Sequence, residues 1–294
     1  MIERWAHKLG VEVHSPWTIR WTRNCLFMVV VYFITVLALP NLHYFWGTHS
    51  LIPALGFPDG LTYRVIMFLQ FEGNEHYYPY FFIAVCAGLL IYVSKLSRRW
   101  ATFLVWLGMM VLYNRAYLSL VGGNYLLHAL LFYLFFADEK SEASGKWGFI
   151  SHSLSNLALW ACRIQVIYVY VFSGAYKWAS EQWRSGEAVS DIMHLKEFSL
   201  PWIMDGPAEW HTHWVMVNYL AMAYFSLFPF LVWSKKWKMP LLIFGVIWHL
   251  GMGWAIGVMD FSLVMIASYA VFIEKDDMNR LKALFTKRIK VSRA

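Results

Sequence analysis

Charged residues make up only 15% of this 294-residue chain, and it has only three cysteines and nine prolines. So little charge falls well short of the ~25% that usually covers a soluble domain. Cys25, Cys86 and Cys162 sit in or at the edge of apolar segments with no CxxC pair, so no disulfide framework is expected and buried free thiols are. There is no Gly-rich phosphate loop, no HExxH and no nucleophile elbow. There is also no haem, flavin or iron–sulfur ligation pattern, so any redox partner has to be a diffusible molecule. His211 and His213 stand two apart and do not share a helical face, and no third ligand has metal-site spacing, so no metal is expected.

What the chain has in abundance is apolar and aromatic surface, 59% and 19% of its residues. This composition places it among polytopic membrane proteins of the all-helical class. Apolar runs long enough to cross a bilayer, allowing for tilt, fall at about 24–41, 78–95, 100–114, 118–137, 155–177, 212–233, 239–257 and 260–274. They predict a bundle of about eight spans, with six or seven as alternatives. Residues 51–71 are apolar but broken by Pro53, Gly56, Pro58 and Gly60, the pattern of a re-entrant or interfacial piece. Residues 1–24 carry Trp5, Trp17 and Trp21 among basic residues, which predicts an interfacial helix and no removable signal peptide. Residues 275–294 form a basic tail suited to anionic lipid. Between these two segments, residues 25–274 are read as one transmembrane domain.

The formal charge of +7 is distributed as topology signals, not as a nucleic-acid surface. Most Lys and Arg lie at 4–23, 95–99, 140–146, 235–238 and 275–293, all on one side if there are eight spans. That asymmetry predicts both termini in the cytoplasm. Lys177 and the acidic stretch 179–210 then face outward.

The stretch from Arg163 to Gly186, RIQVIYVYVFSGAYKWASEQWRSG, stands out. Arg163, Tyr170 and Lys177 recur every seven residues and share a face with Val166, Ser173 and Gly174. Ser173 and Gly174 are small enough to admit a second helix or a flat ligand. Lys177 has no acidic residue beside it in sequence, and it is either a snorkelling anchor or part of a site. His249 lies mid-span, where a histidine is costly, so it faces the bundle interior. It either bonds a neighbouring helix or takes part in a site, and Gly251, Gly253 and Gly257 after it permit close approach. Asp260 either shares a vestibule with Lys177 or caps a helix.

Three blocks of this chain resemble the HTTM family, the membrane module that contains vitamin K-dependent gamma-carboxylase. The first is NRAYLSLVGGNYLLHALLFYLFFAD, Asn114 to Asp138. The second is the stretch above, with Gln165, Tyr168, Phe172, Ser173, Gly174, Lys177, Trp183 and Gly186. The third is WHLGMGWAIGVMDFSLVMIASYAVFI, Trp248 to Ile273. The length resembles compact bacterial members such as the sporulation-delaying-protein B group, which implies a bacterial cytoplasmic membrane.

The resemblance implies that Lys177 is the base that deprotonates a reduced quinone, with O2 and CO2 as co-reactants and a peptide or small acid as substrate. Partial burial at an apolar helix end is what makes a lysine usable as a base near neutral pH. Lys177 and His249 are the implied catalytic residues. Arg115, Gly123, Asn124, His128, Gln165, Tyr168, Ser173, Gly174, Trp183 and Asp260 are the implied substrate- and quinone-binding residues. The carboxylase carries a catalytically implicated histidine in the first block where this chain has Gly123 beside Asn124, and His128 follows about one helical turn later. Two other readings stand beside the enzyme: a non-catalytic maturation or export partner of a secreted antimicrobial peptide, and a quinone-binding electron-transfer protein. All three place the chain among membrane lipids, and none involves nucleic acid.

Overall fold

The computed structural model describes residues 10, 13–46, 78–95, 97–139, 145–207 and 210–291. The segment 51–71, expected to be re-entrant or interfacial, lies outside the described residues, as do 1–9, 11, 12 and 292–294 of the terminal segments. The described secondary structure is helical, with no strand among the described residues. Each of the eight apolar runs contains a helix. Among the described residues three helices, Pro16–Asn41, Gly145–Ala179 and Trp210–Leu231, are long and apolar enough to cross a membrane. Shorter apolar helices cover Phe82–Val93 and Met259–Phe272.

The chain forms two compact units, Met1–Cys162 and Arg163–Ala294. In the first unit, α1 (Pro16–Tyr32) starts on a proline, whose missing N–H costs nothing at a helix's first position. Residues 16–24, expected in a separate interfacial helix, are therefore continuous with the first span. Toward Pro40 this helix widens into a π turn at Phe33–Ala38 and tightens at Leu39–Asn41, because proline removes one backbone donor. The side chains of Thr35 and Asn41 donate to the carbonyls of Val31 and Leu37, each at 2.8 Å. α2 (Tyr78–Val93) and α3 (Arg98–Arg115) pack against each other. Gly88 makes this possible, since a Cβ there would lie 2.9 Å from the Ala101 carbonyl oxygen.

α4 (Gly122–Phe135) packs on α3, and its C-terminal end is tied down by arginines. Arg23 Nη2 donates to the carbonyls of Leu134 and Ala137 at 2.7 Å, and Arg99 Nε donates to that of Phe135 at 3.1 Å. Arg23 Nη1, Arg20 Nε and Arg98 Nη1 all bond the carboxylate of Glu139, at 2.5, 2.9 and 2.7 Å. Arg23, which the sequence groups with the basic clusters of one side, is fully buried and serves this structural role.

α5 (Gly145–Ala179) begins ten residues before the expected apolar run. Its polar first third is drawn into the helix by tertiary bonds that hydropathy does not register. Ser155 Oγ donates to the Asp138 carbonyl at 3.1 Å and accepts the Asp138 N–H at 2.8 Å, and Asn156 Oδ1 accepts the His14 N–H at 2.9 Å. Residues 163–179 of α5 belong to the second unit, with α6 (Trp210–Leu231), α7 (Lys238–Ala255), α8 (Met259–Ser268) and α9 (Lys275–Val291). The stretch between α5 and α6 carries short helices at Glu181–Ser185, Ala188–Met193 and Pro201–Met204. Val189, Met193, Ile203 and Ile256 form an apolar core beneath it.

The Glu139 network predicts an unequal response to substitution. Glu139→Ala strands the fully buried Arg23 and should lower the stability of the purified protein by about 3–5 kcal/mol. Arg20→Ala, at a side chain that is half exposed, should cost less than about 1 kcal/mol, with thermal unfolding in detergent as the check.

Candidate functional site

The heptad face of α5 becomes one wall of the second unit's interior. Val166, Tyr170 and Gly174 are buried, Ser173 is half-buried, and Arg163 is tied at the far end of the same face. Arg163 Nε donates to the Val271 carbonyl at 2.9 Å, and its Nη2 lies 3.6 Å from the Glu274 carboxylate. At Gly174 a Cβ would meet the backbone of Phe225 at 3.6 Å, an ordinary contact distance, so α5 lies beside α6 at this point.

Lys177 lies one turn beyond Gly174. Its Nζ sits 4.2 Å from the centroid of the Phe225 ring and 4.5 Å from that of the Trp183 ring, inside the ~6 Å range of cation–π attraction. Among the described residues no carboxylate pairs with it. The second ring is placed by a turn. The helix Glu181–Ser185 ends at Gly186, whose φ of 92° is a left-handed conformation that only glycine adopts at no steric cost. The reversal is fastened to α6: buried Asn218 donates Nδ2–H to the Trp183 carbonyl at 2.8 Å, and the Tyr219 hydroxyl donates to that of Arg184 at 2.9 Å. The chemical content of the cradle is a cation held between ring faces beside small residues, which suits a flat, electron-rich ligand ring.

Two turns before Lys177 on the same face, Tyr170 lies under Phe228, ring centroids 3.7 Å apart and nearly parallel. Its hydroxyl is 2.5 Å from that of Tyr269, 3.4 Å from that of Tyr224 and 3.2 Å from His249 Nε2. Tyr224 and Tyr269 are 3.0 Å apart. Gly245, one turn before His249, leaves room for the hydroxyls, since a Cβ there would lie 2.5 Å from Tyr269 Oη. His249 is fully buried, as a mid-span histidine should be. Phe225 touches both groups, its centroid 5.1 Å from that of Tyr170, so Lys177 and the phenol cluster are neighbours across an apolar ring.

The glycines after His249 behave individually. Gly253 is on its face and packs on Ser262 and Met259, Gly251 points into open space, and Gly257 supplies a left-handed turn with φ of 70°. Two residues of helix turn about 200°, which is why Gly251 and His249 look in opposite directions. Asp260 is half-buried in the first turn of α8 with no side-chain capping bond, a position that favours negative charge. Tyr168 stands half a turn away from the Lys177 face, is exposed, and lies against Phe172 with centroids 4.1 Å apart. Gln165 is half-buried and likewise off that face.

Arg115, Gly123, Asn124 and His128 lie in the first unit. The side chain of Arg115 is outside the description. Gly123 is buried in the first turn of α4, and the buried Asn124 accepts the Val121 N–H on Oδ1 at 2.8 Å, a bond that starts the helix. His128 stacks on Trp106, centroids 5.2 Å apart, and lines a cavity of about 160 Å³ with Met110, Tyr113, Asn114, Tyr117, Leu120 and Tyr125. A space of that size accommodates a single aromatic ring. Among the described residues no group of three His, Cys, Asp or Glu is arranged to hold a metal; His211 lies 3.6 Å from Glu187 and near Ser190 instead.

Tyr224, Tyr269, Phe225 and Asn218 were not singled out by the sequence. The available signal was a tyrosine or asparagine inside an otherwise apolar run, as in AMAYFSLF, IASYAVF and WVMVNYL, where a polar tip has to find a partner. No protein-family model, no curated protein and no solved structure matches the chain.

The close fit around Gly245 is directly testable. Gly245→Ala should destabilise the protein by about 1–3 kcal/mol through overpacking against two hydroxyls. Gly251→Ala, on the open face, should be neutral to stabilising, since alanine is the better helix former by about 1 kcal/mol. Thermal unfolding of the pair checks both.

Proposed function

We propose that this chain is a membrane enzyme of the gamma-carboxylase-like, HTTM kind, in which Lys177 acts as a base on a reduced quinone at the outer face. The observation that carries the reading is the cradle of Lys177. It is a lysine at the end of an apolar helix, held between Trp183 and Phe225 with no carboxylate partner among the described residues. A purely anchoring lysine reaches for headgroups and water, whereas this one is folded back against two rings. The amine can exchange its proton with a ligand without breaking an ion pair, and a quinol ring finds aromatic faces on either side of it.

In this reading Trp183 and Phe225 orient the ring, Ser173 and Gly174 leave it room, and Lys177 Nζ takes the proton from its hydroxyl. The reduced quinone, with O2, supplies the oxidative driving force, and CO2 is the carbon source if glutamate carboxylation is retained. Asp260 and His249 stand on the neighbouring hairpin as further polar groups of the same unit. The bilayer arrangement that goes with this function is about eight spans, both termini cytoplasmic and the stretch 179–210 outside. The basic clusters on one side support it, as do the short helices in that stretch with their exposed acidic residues.

Quinol oxidation under oxygen, measured with the purified protein in nanodiscs, tests the proposal. Wild type should form the quinone epoxide. Lys177→Ala should lose at least ~100-fold of that rate, the usual worth of a positioned base, and Lys177→Arg should fold and insert but not restore it. Equal turnover by Lys177→Ala contradicts the role of Lys177. A wild-type protein that binds a quinone or peptide without any turnover overturns the enzyme in favour of a maturation partner of a secreted peptide.

A further inference from the structure

The phenol cluster of the second unit carries an inference that does not depend on Lys177. Tyr170, Tyr224, Tyr269 and His249 make four polar contacts with one another, Tyr170–Tyr269, Tyr170–Tyr224, Tyr224–Tyr269 and Tyr170–His249 Nε2. Each hydrogen bond needs one proton, and each phenol contributes one. Three hydroxyls closing a ring consume all three phenolic protons, each donating once and accepting once. Tyr170 then has one acceptor position left and no proton for His249. The fourth bond forms only if His249 Nε2 carries the hydrogen and donates it to Tyr170.

That assignment leaves Nδ1 as a bare lone pair. It is buried in a residue with no exposed surface, and no atom among the described residues bonds it. Ser262 Oγ, on α8, is in the same condition, fully buried and unbonded. The two belong to one seam. Gly253, one turn after His249 on the same face of α7, is the point where Ser262 comes in, its Oγ 3.0 Å from where a Cβ would stand. Phe261, next to Ser262, has its ring 5.9 Å from that of His249. Two unsatisfied polar atoms at one helix seam cost about 1–3 kcal/mol each, and a shared small hydrogen-bonding molecule removes that cost.

We propose that His249 is held as its Nε2–H tautomer by the closed ring of Tyr170, Tyr224 and Tyr269, and that its bare Nδ1 and Ser262 Oγ together bind one water molecule. Tyr224 and Tyr269 are positioning residues in this arrangement, because their hydroxyls reach His249 by hydrogen bonds only through Tyr170.

Ring-nitrogen NMR of the full-length protein in nanodiscs, labelled at histidine and assigned by loss of signal in His249→Gln, tests the proposal. Wild type should show a protonated Nε2, an unprotonated Nδ1, and a correlation between Nδ1 and a water proton. Ser262→Ala should shift the Nδ1 resonance while leaving Nε2 protonated. Tyr269→Phe opens the ring and frees a phenolic proton for His249, so it should convert the single tautomer into a mixture. A wild-type His249 protonated at Nδ1 overturns the tautomer. An Nδ1 with no water correlation, or unmoved by Ser262→Ala, overturns the water site. Because the wild-type spectrum decides both points, a variant that fails to fold does not shield the proposal.

Discussion

A hydroxyl buried among apolar helices has no solvent to turn to, so its hydrogen bond has to be made within the protein. In the second unit that constraint falls on Tyr170, which is fully buried at the centre of the α5 face. Satisfying it requires three other helical segments to present polar tips at one point: Tyr224 from α6, His249 from α7, and Tyr269 just past α8. The glycines follow from the same demand. Gly245 clears space for the hydroxyls, and Gly253 admits α8. Lys177 is positioned as a consequence, because fixing Tyr170 fixes the direction in which the next two turns of α5 point. The Gly186 turn then brings Trp183 back over the amine.

The first unit solves the same problem with charge. Arg23 has no exposed surface, and its two Nη groups bond one carboxylate and two carbonyls at the end of α4. Glu139 in turn gathers Arg20 and Arg98. Helices in an apolar medium gain little from hydrophobic burial against each other, so such polar clusters and small-residue contacts carry a larger share of their specificity.

Much of this was legible from residue pattern. Seven-residue spacing put Arg163, Tyr170 and Lys177 on one face, and the structure places them so, with Val166 and Gly174 buried between. The cost of a histidine in hydrocarbon placed His249 inside. What periodicity could not show was which polar atoms meet. A sequence does not reveal that Arg23, counted among the basic clusters, is bound by Glu139, more than a hundred positions away. The start of α5, residues 145–154, was hidden because its polar side chains find partners far away in sequence, as His152 does in the Gly10 carbonyl. Tyr168 was grouped with Lys177 by motif, whereas its position half a turn away directs it outward. Tyr224 and Tyr269 sat unnoticed in apolar runs, since hydropathy averages over the single polar tip that matters.

The central claim is that the phenol ring acts as a unit, and a double-mutant cycle measures it most directly. Unfolding free energies of Tyr170→Phe, Tyr269→Phe and the double variant, in the same detergent, give the coupling between the two hydroxyls. A coupling of about 0.5–3 kcal/mol is predicted, because removing either hydroxyl already breaks the ring that the other completes. Costs that simply add, to within about 0.3–0.5 kcal/mol, would contradict the account.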